Sequence, residues 1–446
     1  MKEADVVVVG GSAAGIPAAT TARKHYPERS VLLVRKEEQV LIPCGIPYIF
    51  GTVGSASKNL IPDDVLEKNG IEFLVDEVTD IDRQKREITT ASGEEIGYDK
   101  LVLATGSLPI VPPIPGFDKE NVFVVNKSVP YLQGLMGALD GASDLVVIGG
   151  GYIGVEFAAE CRKNRDVNVT LVELLPHCLM LGYDQEICSV VDHEVAACGV
   201  NVFTGEKVEE IVGDEKVETV RLASGKELKT DVVIIGIGAA ANTKLAKKAG
   251  LDLDAAGGIK VDRAMKTSDE NIFACGDCAG KFSFFTGKPS NIRLASIAAA
   301  EARIAGANLF ESRRQNVGAI GVYAVPLGDT VFACAGLTDK DAQKNGYETV
   351  VGEAESPNRH PGCMPGAAAL KVKLVFDKAT SVLLGGQVVG GESAGELVNV
   401  ISACIQQKMT AEDIAVFQMG THPALTASPI AYQLVNAAET AAGAMM

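Results

Sequence analysis

The sequence predicts an α/β chain with two domains built on parallel, doubly wound sheets and an α+β domain at the C-terminus. Three observations carry that prediction. A strand-turn-helix-strand unit opens the chain. The same unit returns 139 residues later, from Gly10 to Gly149. From about Gly318 the pattern changes to short strands followed by helices.

The first unit runs from Val6 to Val9, turns through Gly10-Gly11-Ser12-Ala13-Ala14-Gly15, and enters an Ala-rich helix reaching Lys24. A strand from Ser30 to Val34 follows. Apolar runs of this kind, joined by a crossover helix, read as parallel strands buried on both faces. The second unit has the same order: Leu145 to Ile148, Gly149-Gly150-Gly151-Tyr152-Ile153-Gly154, a helix to Lys163, and a strand from Val167 to Val172. Between them lie strand patterns near Glu72 to Val78 and Glu87 to Thr90, ending in Leu101-Val102-Leu103-Ala104-Thr105-Gly106. Pro109, Pro112, Pro113 and Pro115 mark an extended crossing between domains. The run Val232 to Gly238 closes the second unit. In the last part, Val350-Val351, Ala369 to Phe376 and Gln387 to Val389 read as strands, with helices from Ala394 onward. The expected segments are 1–112, 113–248, 249–318 and 319–446.

A chain of 446 residues is too long for one hydrophobic core, so two or three domains are expected. The formal net charge of -16 disfavours nucleic acid and anionic membrane as partners. No segment reaches the roughly 18 to 20 apolar residues of a membrane span, and the N-terminal run Val6 to Val9 is too short for a signal peptide. The expected compartment is the cytoplasm. Ten scattered cysteines do not form a disulfide framework, and most are expected as thiols.

A Gly-rich turn between strand and helix lets backbone N–H groups meet a pyrophosphate at the helix N-terminus. The second turn has the full context. Gly149, Gly151 and Gly154 fit the spacing, and Glu173 follows 19 residues after Gly154, at the end of the next strand. A carboxylate there accepts hydrogen bonds from a ribose 2′-OH and repels a 2′-phosphate, which favours NADH over NADPH. The first turn departs from the pattern. Ser12 replaces the middle glycine, and Arg35 stands where an acidic residue is expected, so either Glu37 is the substitute or the adenosine end is held differently.

A distant segment completes the first site. Thr267 to Asp277 is a short strand ending in Ala274-Cys275-Gly276-Asp277. It resembles the second FAD motif of the pyridine nucleotide-disulfide oxidoreductase family. With both Gly-rich turns and Ala104-Thr105-Gly106, the resemblance covers almost the whole chain. It implies FAD held by Gly10, Ser12, Ala14, Gly15, Glu37, Thr105, Gly106, Gly276 and Asp277, with Asp277 on the ribityl chain. It implies NAD(H) held by Gly149, Gly151, Tyr152, Ile153, Gly154, Glu173 and Gly238, with Glu156 near the flavin–nicotinamide contact. It also implies the order FAD domain, inserted NAD domain, FAD domain again, and a C-terminal domain that builds a homodimer.

The segment Leu41-Ile42-Pro43-Cys44-Gly45-Ile46-Pro47-Tyr48 resembles the redox-cysteine segment of that family. Most members carry a second cysteine five positions away. Gln39 and Ile49 stand at those places, so Cys44 matches the single-cysteine branch of coenzyme A-disulfide reductases, NADH oxidases, NADH peroxidases and sulfur or polysulfide reductases. Electrons from NADH then reach a sulfur–sulfur bond at Cys44 by way of the flavin. A thiolate serves there as nucleophile and leaving group. Pro47 is placed to start a helix whose dipole would lower the Cys44 pKa.

Within the branch, oxidases and peroxidases usually carry a His in the first Gly-rich turn, where this chain has Ala13 and Ala14. Coenzyme A-disulfide reductases usually carry Tyr residues in the C-terminal domain, where this chain has Cys363 and, within Thr421-His422-Pro423, His422. His422 of a second subunit is expected to protonate the thiolate leaving Cys44, and Cys363 to act as a resolving thiol. The resulting reading is an FAD-dependent NADH oxidoreductase for a disulfide, persulfide or polysulfide, with coenzyme A among the expected substrates. An NADH oxidase or peroxidase working through a Cys44 sulfenic acid and a reductase serving a protein partner are the alternatives.

Other signals are expected to be structural. Cys275 and Cys278 read as packing residues inside the FAD motif rather than as a metal site. Cys161, Cys178, Cys188, Cys198, Cys334 and Cys404 read as core. His25, His177 and His193 stand apart from the motifs and read as surface or satisfied side chains. Arg23 and Lys24 read as helix C-terminal cations.

Overall fold

Val6, Val7 and Val8 are wholly buried, and each contributes about 1.5–3 kcal/mol by leaving water. Such a run suits the middle of a parallel sheet, and the computed structural model, which describes residues 2–445, places it there. Strand Lys2–Val9 pairs in parallel with Val31–Arg35 on one side and Glu95–Leu103 on the other. Glu72–Val75 extends the first edge. On the other edge, Glu95–Leu103 is shared. Its first half pairs antiparallel with Glu87–Thr90, and its second half pairs in parallel with Ile272–Ala274. That last pairing brings the Gly276–Asp277 segment beside Ala104-Thr105-Gly106.

The chain divides into two compact units. The first comprises residues 1–113, 123–141 and 237–319. It holds this sheet, helix Gly15–His25 and helix Ala295–Asn308, which pack on each other. Strands Ser107–Pro109 and Ala239–Ala241 pair antiparallel, so the outgoing and returning chain are clasped together.

The second unit comprises residues 114–122, 142–236 and 320–446. Parallel strands Val200–Phe203, Asn168–Val172, Asp144–Ile148 and Val232–Ile235 lie side by side in that order. A three-stranded antiparallel meander, Val208–Val212, Thr219–Leu222 and Glu227–Lys229, is attached. The C-terminal part is a five-stranded antiparallel sheet in the order Val322–Leu327, Thr330–Gly336, Leu383–Gly390, Ala369–Asp377 and Thr349–Pro357. Helices Ala394–Gln406 and Gln433–Ala444 cover it.

The inserted parallel sheet and the C-terminal sheet thus share one unit, joined by a buried polar network. Asp184 Oδ2 meets Lys373 Nζ at 2.8 Å, and Gln387 both donates to Asp184 Oδ2 at 2.6 Å and accepts from Asp184 N–H at 2.8 Å. Tyr152 stacks on Tyr323 with ring centroids 4.5 Å apart. No helix among the described residues is long and apolar enough to cross a membrane.

Candidate active site

The two Gly-rich turns are near copies in space as well as in sequence. Gly10 N–H donates to Val34 O at 2.8 Å, and Gly149 N–H to Val172 O at 2.8 Å. A Cβ at Gly15 would stand 1.8 Å from Gly10 O, and one at Gly154 would stand 1.7 Å from Gly149 O. Only glycine permits that approach of helix to turn. At Gly106 and Gly151 an added Cβ would meet nothing within 4 Å. The second turn at Gly151, and the Ala104-Thr105-Gly106 link beside the first turn, therefore leave open space at these glycines, of the kind a dinucleotide backbone needs.

In the first unit, Asp277 lies opposite the Gly-rich turn on a short 3-10 turn, Gly276–Cys278. Ser107 donates to Asp277 Oδ2 at 2.7 Å, and Lys127 Nζ lies 3.8 Å from the same oxygen. Thr105 Oγ1 donates to Asn242 O at 2.7 Å, which ties the Ala104-Thr105-Gly106 link to the returning chain. Ser12 is half-buried and Ala14 buried at the start of the helix. Ser107 and Lys127 have no motif of their own, so the sequence did not single them out.

Arg35 explains the missing acid at the end of the second strand. Its guanidinium is buried, pairs with Asp63 at 2.6 and 2.8 Å, and lies over the Phe73 ring. Its Cδ is 2.6 Å from where a Gly11 Cβ would stand, so Arg35 braces the turn from behind. Glu37 is half-buried two residues further on.

Cys44 is exposed and in no disulfide, on the 3-10 turn Pro43–Gly45. The expected helix at Pro47 is only a four-residue 3-10 turn, Pro47–Phe50. Too few peptide dipoles align there to make the strong positive end expected from the sequence. What holds the thiol segment instead is Asn59. Its backbone O accepts from Ile42 N–H at 2.9 Å, and its Nδ2 donates to Ile42 O at 3.0 Å. A Cβ at Gly45 would stand 2.0 Å from Asn59 Oδ1, so Gly45 is required for the fit. This clamp joins residues far apart in sequence, and no local pattern announces it.

In the second unit, Glu173 Oε1 accepts from Leu175 N–H at 2.6 Å, and its Oε2 accepts from Gly150 N–H. Glu156 is half-buried on helix Tyr152–Arg162, and Ile153 and Gly238 are exposed, Gly238 within the first unit. The Tyr152 ring, grouped with the nucleotide residues from the sequence, is committed to Tyr323, and its hydroxyl lies 3.3 Å from Cys334 Sγ. Burial pushes that phenol well above its ordinary pKa.

Cys363 and His422 are both exposed in the second unit. Their loops are tied together. His360 N–H donates to Pro423 O at 3.1 Å, His360 Nδ1 lies 3.0 Å from Thr426 O, and His422 N–H donates to Thr426 Oγ1 at 3.0 Å.

The remaining cysteines differ from this exposed pair. Cys198 is half-buried and the other seven are buried. Burial pushes the Cys334 thiol up to about 11 and Cys161 to about 12, and raises Cys275 and Cys278, so these are protonated and poor nucleophiles. His177 is a satisfied side chain: Asp192 Oδ2 meets its Nδ1 at 2.7 Å. Arg23 donates to Pro27 O and Arg29 O, which closes the helix end.

Two Gly-rich turns, a Gly-Asp turn and an accessible thiol define a redox enzyme that uses two dinucleotides. Residues 4–302 match the pyridine nucleotide-disulphide oxidoreductase family, and residues 324–430 match its dimerisation domain. The chain belongs to this family: it is a flavin-dependent oxidoreductase that uses FAD and NAD(H). It is 31% identical to an NADH oxidase of Methanocaldococcus jannaschii over 420 residues, 92% of each chain. It is 32% identical to the NAD(P)H sulfur oxidoreductase (CoA-dependent) of Pyrococcus furiosus over 422 residues, 93% of this chain and 94% of that one. Its fold is similar to that of an NAD-dependent persulfide reductase from A. fulgidus, with a TM-score of 0.91, 31% identity, and coverage of 98% of this chain and 83% of that one.

Proposed function

We propose that the protein is an NADH-dependent reductase of sulfur–sulfur bonds, acting on a disulfide, persulfide or polysulfide linked to coenzyme A, as a homodimer. The observation that carries this reading is Cys44. It is an exposed thiol on a clamped turn, in the same unit as the Gly10–Gly15 turn and Asp277. The sulfur and persulfide reductases among its relatives support the substrate class.

FAD, when bound, supplies two-electron transfer from NADH. The chain does the rest. Gly10, Ser12, Ala14, Gly15, Glu37, Thr105, Gly106, Gly276 and Asp277 hold FAD. Gly149, Gly151, Tyr152, Ile153, Gly154, Glu156, Glu173 and Gly238 serve the nicotinamide nucleotide, with Tyr152 contributing its backbone. The Cys44 thiolate attacks one sulfur of the substrate and forms a mixed disulfide as the other sulfur leaves as a thiolate. His422 of a second copy gives that leaving group a proton. Two electrons from NADH then cleave the mixed disulfide and restore Cys44. Cys363 of a second copy is the thiol that resolves a persulfide or mixed disulfide on Cys44: its thiolate attacks the Cys44 sulfur, the substrate sulfur leaves as a thiolate, and the same two electrons from NADH then cleave the Cys44–Cys363 disulfide and restore both thiols.

An NADH oxidase reaction at Cys44 is the second reading, supported by the oxidase relative and by the exposure of the thiol. Ala13 and Ala14 count against it, since neither supplies an acid–base group.

The deciding experiment is anaerobic NADH oxidation by the purified holoenzyme with coenzyme A disulfide, coenzyme A persulfide and polysulfide, set beside oxygen and peroxide. Cys44→Ser should abolish turnover of the sulfur acceptors while NADH still bleaches the flavin. Rapid NADH consumption with oxygen alone, and none with any sulfur acceptor, rejects the reductase reading.

A further inference from the structure

Behind the Gly276–Asp277 turn lies a buried ion pair that the motif does not contain. Lys281 and Glu301 each keep 2% of their side-chain exposure and meet at 3.0 Å. Both ions also bind one residue, Gly276. Glu301 Oε2 accepts the Gly276 N–H at 2.9 Å. Lys281 Nζ donates to Gly276 O at 2.7 Å and to Ala279 O at 3.3 Å. The backbone N–H and C=O of the residue before Asp277 are therefore both taken by the same pair. Gly276 has φ +76° and Ala14 lies 2.6 Å from where its Cβ would stand, so the turn presses on the start of helix Gly15–His25. Glu301 Oε1 is buried with no hydrogen-bond partner among the described residues.

Stability alone does not call for this arrangement. Desolvating two ions usually cancels their attraction, and an apolar pair of the same volume serves a core as well or better. An apolar pair cannot bind both polar groups of Gly276. Nor can it place an ammonium, held by two carbonyl oxygens, behind a site for an anionic cofactor. We propose that Lys281 and Glu301 are positioning residues for FAD: together they set the Gly276–Asp277 turn, and the Lys281 charge offsets the negative charge of the bound cofactor. This rests on Asp277 being a ligand of FAD.

The two ions then act with opposite sign. Lys281→Met removes the cation and a donor to Gly276 O. Glu301→Gln keeps an acceptor for Gly276 N–H and leaves the cation less compensated. The experiment measures FAD dissociation, flavin midpoint potential and thermal midpoint on holoenzyme carrying each change, with Asp277→Asn as reference.

Lys281→Met should weaken FAD about tenfold through loss of a charge-assisted hydrogen bond. It should also lower the ratio of reduced to oxidised flavin about tenfold at fixed potential, ~30 mV for a two-electron couple. Glu301→Gln should move that ratio the other way and leave FAD bound at least as tightly. Shifts of the same sign in both variants, or lower thermal midpoints with unchanged FAD affinity and potential, overturn the proposal. Unchanged FAD binding in Asp277→Asn overturns the Asp277 assignment and the proposal with it. Where a single variant does not fold, the neutral double variant Lys281→Met with Glu301→Gln carries the test. Folded with weakened FAD it supports the proposal, and folded with native FAD affinity it overturns it.

Discussion

Glu173 accepts the backbone N–H of Gly150, the second residue of its Gly-rich turn, and so bridges the turn to the end of strand Asn168–Val172. Leu175 N–H holds the other oxygen at 2.6 Å. A carboxylate has about four lone-pair sites, so each oxygen keeps capacity for a ribose hydroxyl. The fixed charge opposes a 2′-phosphate. Glu173→Ala should raise KM for NADH about tenfold, the loss of a hydrogen bond to an ionised acceptor, and should narrow the preference for NADH over NADPH. Steady-state kinetics with both nucleotides check this. An unchanged preference removes Glu173 from the specificity determinants.

Cys363 and His422 share one cluster of loops because His360 binds Pro423 O and Thr426 O. If they serve the same sulfur chemistry, their variants should spare the first half of the reaction. Cys363→Ser should slow turnover of disulfide or polysulfide and leave flavin reduction by NADH at its native rate in stopped flow. Native turnover in that variant refutes the resolving role.

His422→Asn should lower acceptor turnover by about 10²-fold, the lower end for loss of a general acid. The loss should shrink for substrates whose leaving thiol is already acidic, since those need no proton. A uniform loss across leaving groups of different pKa argues instead for a packing role.

Both turns were legible in the sequence for a physical reason. Helix and turn approach so closely at Gly15 and Gly154 that any Cβ collides, and the spacing records that collision. Asp277 was singled out in the sequence because Thr267 to Asp277 resembles the second FAD motif of the family. Asn59 and Glu301 were not legible, because each acts on a residue 17 or 25 positions away, and Lys281, though only five residues from Gly276, has no pattern that announces its pairing with Glu301. Arg35 looked like a defect in the first motif, and only its pairing with Asp63 shows it bracing the turn. The meander at 208–229 was missed because its strands are short and mix buried with exposed positions without a long apolar run. The union of the inserted sheet with the C-terminal sheet depends on Asp184, Lys373 and Gln387, which have no local pattern.

That union gives a prediction on stability. Asp184 and Lys373 are both buried, with 7% and 8% of their side chains exposed. Lys373→Met strands the Asp184 carboxylate and should cost about 3–5 kcal/mol in denaturant unfolding. Adding Asp184→Asn should restore most of it, because two neutral groups no longer leave a buried charge unpaired. The pH dependence follows from the shifts. Burial alone would raise the Asp184 pKa, but hydrogen bonds from Lys373 and Gln387 and the Lys373 charge bring it below its ordinary value. Burial alone would lower that of Lys373, but Asp184 and Glu186 bring it above. A depressed carboxyl stabilises the fold above its unfolded pKa and loses that contribution as pH falls through the folded value. A raised ammonium stabilises the fold below its unfolded pKa and loses that contribution as pH rises through the folded value. The cost of Lys373→Met should therefore be greatest between about pH 4 and pH 10 and should shrink on acidification as Asp184 takes up a proton. A cost that stays constant down to pH 2 shows that Lys373 acts through its packing rather than its charge.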